Sequence, residues 1–231
     1  MGRPKSSYFL WILGHILKAL FVLLVIGICT ILIWRLAFSR RVPKSLAEID
    51  GNAVLREALE QNGGNLTVLS QPDQVRYTEA DHNYADYHVK DCVFFQEAEQ
   101  AQLVFYYNNS TLEDVGKQLG LDLLSLRGEE VFSLELLLCT DLTPEGHEGE
   151  PIVTERVVAP TTPEMDTNSL YTFARYTFDD VALDGVTVVY LDIYYMHEGE
   201  RVELGTIRLY HEQTETEQRE LDRKEIERIK E

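Results

Sequence analysis

The sequence predicts a mainly β protein tethered by a single transmembrane helix, and three features carry that prediction. Residues 19–34 hold sixteen positions without a charge, inside an apolar stretch that runs from Tyr8 to Phe38. From position 46 the composition turns abruptly acidic. From Val131 onward, five segments rich in branched and aromatic residues follow one another with no helix-length pattern between them. The expected architecture is an N-terminal transmembrane helix followed by an antiparallel β-sandwich-like domain, immunoglobulin-like in its spacing of strands and turns. One or two short helices and a polar C-terminal helix complete it. The Cys-Trp-Cys spacing of a true immunoglobulin domain is absent from the sequence.

Residues 1–7 form a short basic tail, and 8–38 are the predicted span, with a core at 19–34. A bilayer core about 30 Å thick needs roughly 20 helical residues, which this stretch supplies. A cleaved signal peptide would end in small residues, whereas Trp34-Arg-Leu-Ala-Phe-Ser-Arg-Arg41 places bulky and basic side chains there, so an uncleaved anchor is expected. Lys18 and Arg35 bracket the core and can run their aliphatic stems toward the headgroups, while Tyr8, Trp11 and Trp34 suit the interfacial belts. Basic residues flank both ends. The tail carries no acid, however, and the expected orientation is N-terminus cytoplasmic, C-terminal domain outside. Met1-Gly2-x-x-x-Ser6 matches an N-myristoylation pattern, which the spanning helix directly behind it makes a chance match.

Residues 1–45 contain 7 basic and no acidic side chains; residues 46–231 contain 14 basic and 39 acidic ones, a formal charge of −25. Such a body is repelled by nucleic acid and by anionic lipid, so DNA and RNA are excluded as partners. The juxtamembrane segment 39–64 is expected to carry a short helix that starts at the Ser45-x-x-Glu48 capping box and stops at Asn62-Gly63-Gly64. The β-rich domain then spans 65–211. Leu66–Leu69, Val89–Phe95 and Gln102–Tyr107 read as strands, with the polar stretch 71–88 as a connection. Ser110-x-x-Glu113 opens an amphipathic helix that ends at Gly120.

Val131–Leu142, Ile152–Val158, Leu170–Phe178, Val186–Met196 and Val202–Tyr210 are the five later strands. Thr187, Val189, Leu191, Ile193 and Tyr195 share one face and Asp192 the other, as a half-buried antiparallel strand requires. Gly199 marks a hairpin. Tyr171, Phe173, Tyr176 and Phe178 change parity, and a bulge near Ala174-Arg175 would bring all four to one face. Residues 212–231 are nearly all polar. Leu221, Ile226 and Ile229 sustain no heptad, so a solvated helix or tail whose removal costs little stability is expected.

Chemistry-bearing residues are sparse. His82, Asp86 and His88 are candidate metal ligands, because imidazole and carboxylate suit zinc and similar ions, although their spacing matches no standard motif. His147, His197 and His211 stand alone. The chain has no Gly-x-Ser-x-Gly elbow and no P-loop, and no cofactor is implied. With 39 acids, pairs such as Glu129-Glu130 and Asp179-Asp180 read as turn residues beside strands. Cys92 and Cys139 lie in predicted strands, as a disulfide across the sheets or as two buried thiols; Cys29 lies in the span. Asn65-x-Thr67, Asn108-x-Ser110 and Asn109-x-Thr111 match the glycosylation pattern and are acceptors only where the source glycosylates such sites.

These readings lead to a single-pass membrane protein whose acidic domain faces outside the cytoplasm for binding or envelope assembly. Its partners would be the lipid bilayer, through residues 8–38, and a protein or cell-envelope component. The competing readings are a membrane-tethered hydrolase using acidic residues and, with inverted topology, an anchored cytoplasmic scaffold.

Overall fold

The computed structural model describes residues 5–80, 83–141, 153–211 and 217–230. They belong to two units, Met1–Arg41 and Val42–Glu231. The first is helix α1 (Lys5–Ser39), whose 35 residues contain no acid. At 1.5 Å per residue it extends about 52 Å, more than the roughly 30 Å of a hydrocarbon core. It is long and apolar enough to cross a membrane. Two of its polar side chains are satisfied within the helix, which lowers the cost of placing them in lipid: His15 Nδ1 lies 2.8 Å from Trp11 O, and Thr30 Oγ1 donates to Ile26 O at 2.8 Å.

The second unit opens with a one-turn helix α2 (Lys44–Ala47) and helix α3 (Ala53–Gln61). Strands β1 (Thr67–Ser70), β2 (Gln74–Ala80), β3 (Asn83–Phe95) and β4 (Gln100–Asn108) follow. Helix α4 (Asn109–Leu119) and a 3-10 turn lead to β5 (Ser133–Asp141), β6 (Val153–Val158), β7 (Glu164–Thr167) and β8 (Tyr171–Phe178). The chain ends with β9 (Val188–His197), β10 (Glu200–His211), β11 (Glu217–Glu220) and helix α5 (Arg223–Lys230). Seven strands form one antiparallel sheet in the order β11-β1-β3-β4-β8-β7, with β2 paired to the other end of β3; the second sheet runs β10-β9-β5-β6.

The two sheets face each other across one apolar core. Tyr87, Val89, Phe94, Leu103, Phe105, Tyr176 and Phe178 come from the first sheet; Leu134, Leu136, Leu138, Val189, Leu191, Ile193 and Ile207 come from the second. Leu112 and Val115 of α4 close this core, and Gly120 ends that helix in the left-handed region at φ 71°. Its cap is Asn108, whose side chain accepts from Ser110 N, two residues earlier than the capping box placed it. In β9 the expected alternation holds: Val189, Leu191 and Ile193 are fully buried toward the core. Glu198 and Gly199, both at positive φ, make the two-residue turn into β10.

The polar stretch 71–88 is not a connection. Gln74–Ala80 pairs with Asn83–Val89 as a hairpin. In β3, Tyr87 and Val89 point into the core while Asp86 and His88 alternate onto the other side; in β2, Gln74 and Arg76 lie opposite Val89 and Tyr87. Strand β8 contains no bulge, since Tyr171–Phe178 pairs with Asn108–Ala101 in unbroken register. Ala174, Tyr176 and Phe178 enter the main core, and Tyr171 and Phe173 enter a second cluster on the outer face with Val104, Tyr106 and Leu46. The parity change records a strand buried on both sides.

The expected juxtamembrane helix is also revised. Ser45 caps nothing; α2 ends after one turn, and Asn52 starts α3 afresh by accepting from Leu55 N at 3.1 Å. Residues 217–230 do not stand free of the body as a solvated tail. Strand β11 pairs with β1, and α5 buries Ile229 completely beside Leu55, Leu59, Leu66, Val68, Phe95 and Leu221. Its start is a capping box: Asp222 Oδ1 accepts from Lys224 N and Glu225 N, and Glu225 accepts from Asp222 N at 2.9 Å.

Candidate functional site

The outer face of the seven-stranded sheet carries polar side chains where a sheet in water would leave them solvated, yet they are buried. Gln100, Gln102 and Arg175 are almost inaccessible because the strap formed by residues 42–52 lies over them. Gln102 works as a backbone mimic: its Oε1 accepts from Asp50 N at 2.8 Å and its Nε2 donates to Asp50 O at 2.9 Å. Gln100 Nε2 donates to Asn52 Oδ1 and to Asp179 Oδ1, and Gln100 Oε1 accepts from Asn52 Nδ2. Arg175 Nη1 donates to Ser45 O and Glu48 O, both at 2.8 Å, which satisfies carbonyls at the open end of α2; its Nη2 binds Glu164 at 2.5 Å.

Helix α5 closes over the strap. A Cβ on Gly51 would stand 2.7 Å from the Ile229 Cα, so glycine alone admits this approach. Between strap, sheet and α5 lies a cleft of about 220 Å³ lined by Glu48, Asp73, Asp91, Arg219, Glu225 and Arg228, among others. Its charges are mutually engaged. Arg219 binds Glu225 through two hydrogen bonds, Arg228 lies 3.7 Å from Glu48, and Lys90 lies 3.6 Å from Asp73. Asp91 sits at the bulge that interrupts the β3–β4 register, with φ 49°. Burial, reinforced by the charge of Asp73 and opposed by that of Lys90, holds its carboxyl above the usual carboxylate range. The arrangement clamps the strap and the C-terminal helix to the sheet.

The candidate metal ligands do not converge on this cleft. His82 lies outside the described residues. Asp86 and His88 share the outer face of β3 two positions apart, and the His88 ring stacks on Tyr106 with centroids 4.5 Å apart. Among the described residues no three metal-ligating side chains gather. His147 lies outside the described residues, and His197 stacks beside Tyr195. Asp179 serves as an acceptor for Gln100, and Asp180 occupies a turn at φ 61°, as expected of turn residues. Burial raises the Glu130 carboxyl, against a hydrogen bond from Tyr176 that lowers it.

Cys92 and Cys139 are free and buried, and they face different ways. Cys92 points into the main core, where burial pushes its thiol far up. Cys139 alternates with the core residues Leu136 and Leu138 and therefore lies on the outer face of its own sheet, so β5 would have to turn over to form the bridge.

A second charged centre, which sequence reasoning missed, occupies that outer face. Arg201 donates to Glu135 and to Glu203, each at 2.5 Å, and to Asp192, and its guanidinium lies 3.9 Å from the Tyr194 ring centre. The Tyr194 hydroxyl donates to Glu135 at 3.0 Å. Three carboxylates thus share one cation. Burial, with the charge of Glu203, raises the Asp192 carboxyl despite that cation. Only the outward parity of Asp192 hinted at this cluster. Comparison of the chain with protein-family models, curated proteins and solved structures returns no match.

Proposed function

We propose that this protein is a single-pass membrane anchor that presents an acidic β-sandwich body outside the cytoplasm, where it binds a protein or cell-envelope partner without catalysis. The partition of charge along the chain carries the reading: an acid-free segment with one long apolar helix, then a body of formal charge −25. A basic, short N-terminus retained in the cytoplasm directs the opposite end outward. The spent charges of the cleft add support, because carboxylates held by Arg219, Arg228 and Lys90 secure the fold. Protease added to intact cells, or to spheroplasts where an outer layer blocks access, digests the body under this reading; digestion only after lysis overturns it.

One observation favours the hydrolase reading. Asp73 and Asp91 border the cleft together, and the raised Asp91 carboxyl is the condition a general acid requires. A panel of glycosidase and peptidase substrates decides between the two. Turnover that vanishes in Asp91→Asn establishes the hydrolase, and no turnover leaves the binding module.

A further inference from the structure

The two sheets differ in what covers them. The outer face of the seven-stranded sheet is occupied by the strap and by α5, whereas among the described residues no element packs on the outer face of the four-stranded sheet. Strand parity places Leu137, Val157, Tyr190, Tyr194 and Met196 on that open face, together with Glu135, Asp141, Glu155, Asp192 and Glu203. Val157 is 56% exposed and Met196 48%. Against five carboxylates the face sets two cations, Arg201 and Arg208, and Arg201 is already shared among three acids.

We infer that this open face docks a cationic segment of a protein partner, one that alternates lysine or arginine with apolar residues. The inference rests on the binding-module reading and names its partner's chemistry. Arg201 shows what the face accepts: a guanidinium takes carboxylate oxygens on its edge and a tyrosine ring on its plane. The excess of acids over cations on the face attracts further cations, and the exposed apolar side chains between them supply the contact area that gives the encounter lifetime. A second copy of this chain has the wrong sign for the site, since its body is itself strongly acidic.

The test uses the full chain in uncharged detergent micelles and a short fluorescent peptide of alternating lysine and valine. Carbodiimide cross-linking followed by peptide mapping should join the peptide's lysines to Glu135, Glu155 and Glu203. The double variant Glu155→Gln/Val157→Lys, at two exposed positions, should bind about tenfold more weakly. The charge-matched variant Glu57→Gln/Glu60→Gln, on the exposed side of α3, should differ from the parent by about twofold or less. Equal losses in both variants, cross-links spread over Glu57, Glu60 and Glu113, or no binding would each overturn the inference. None of these readouts depends on which side of the membrane the body occupies, so failure of the topology and failure of the docking face are told apart.

Discussion

Replacing Ile229 with alanine probes the part of the fold where structure and sequence pattern diverge most. The side chain is completely buried near the end of the chain, against Leu55 and Leu59 of α3 and Leu66 and Val68 around β1. The change removes three carbons, worth about 0.8 kcal/mol each in lost transfer, and the cavity adds to that, for a total of about 3 kcal/mol. In a body of about 190 residues, each kcal/mol lowers the melting temperature by about 2–4 °C, so a fall of about 6–12 °C follows. Thermal unfolding of the body from Val42 to Glu231, followed by circular dichroism, measures it. Lys224→Ala, exposed on the same helix, should stay within about 0.5 kcal/mol of the parent. Equal melting temperatures for the two variants would refute the packing argument and restore a solvated tail. Removing 212–231 altogether should unfold the body, because β1 loses its strand partner and the α3 face loses its cover.

Arg175→Ala should cost about 2–4 kcal/mol, because the carbonyls of Ser45 and Glu48 lose a buried charged donor. Limited proteolysis should then cut first within residues 42–52, and cleavage elsewhere at parent rates would argue against the clamp. Asp91→Asn should raise the melting temperature at pH 7. With the native pKa above the unfolded one, the native state holds the proton more tightly, so stability falls as pH rises from the usual carboxylate value through the raised one. The amide removes that loss and tolerates the left-handed backbone, so the advantage over the parent should disappear by about pH 3. A melting temperature unchanged or lowered at pH 7 would contradict the assignment.

What the sequence made legible is local. The long apolar helix, the end of α4 at Gly120, the alternation around Asp192 and the turn at Gly199 all depend on neighbours within a few positions. The hairpin β2–β3 was hidden because its polar residues fall on both faces: Gln74 and Arg76 lie opposite the core residues Val89 and Tyr87, and Asp86 and His88 lie on the other side. The double burial of β8 was hidden because its second cover is the strap, some 130 positions earlier, which the Arg175–Ser45 contact spans. Helix α5 did leave a signal: Asp222-x-x-Glu225 is a capping box, and Leu221, Ile226 and Ile229 need only pack one surface rather than sustain a heptad. The opposed facing of Cys92 and Cys139 was likewise latent, since Cys139 is out of phase with Leu136 and Leu138. The Arg201 cluster draws on three strands and therefore required their register.

The orientation of the body is the claim on which the proposed function stands, and a membrane-impermeant maleimide reads it directly. Gln118→Cys places a thiol on the exposed side of α4, while Cys92 and Cys139 are buried and Cys29 lies within the apolar helix. In intact cells expressing the full chain, the variant should be labelled at Gln118→Cys before lysis and the parent should not. Labelling that appears only after the membrane is opened would place the body in the cytoplasm and contradict the account.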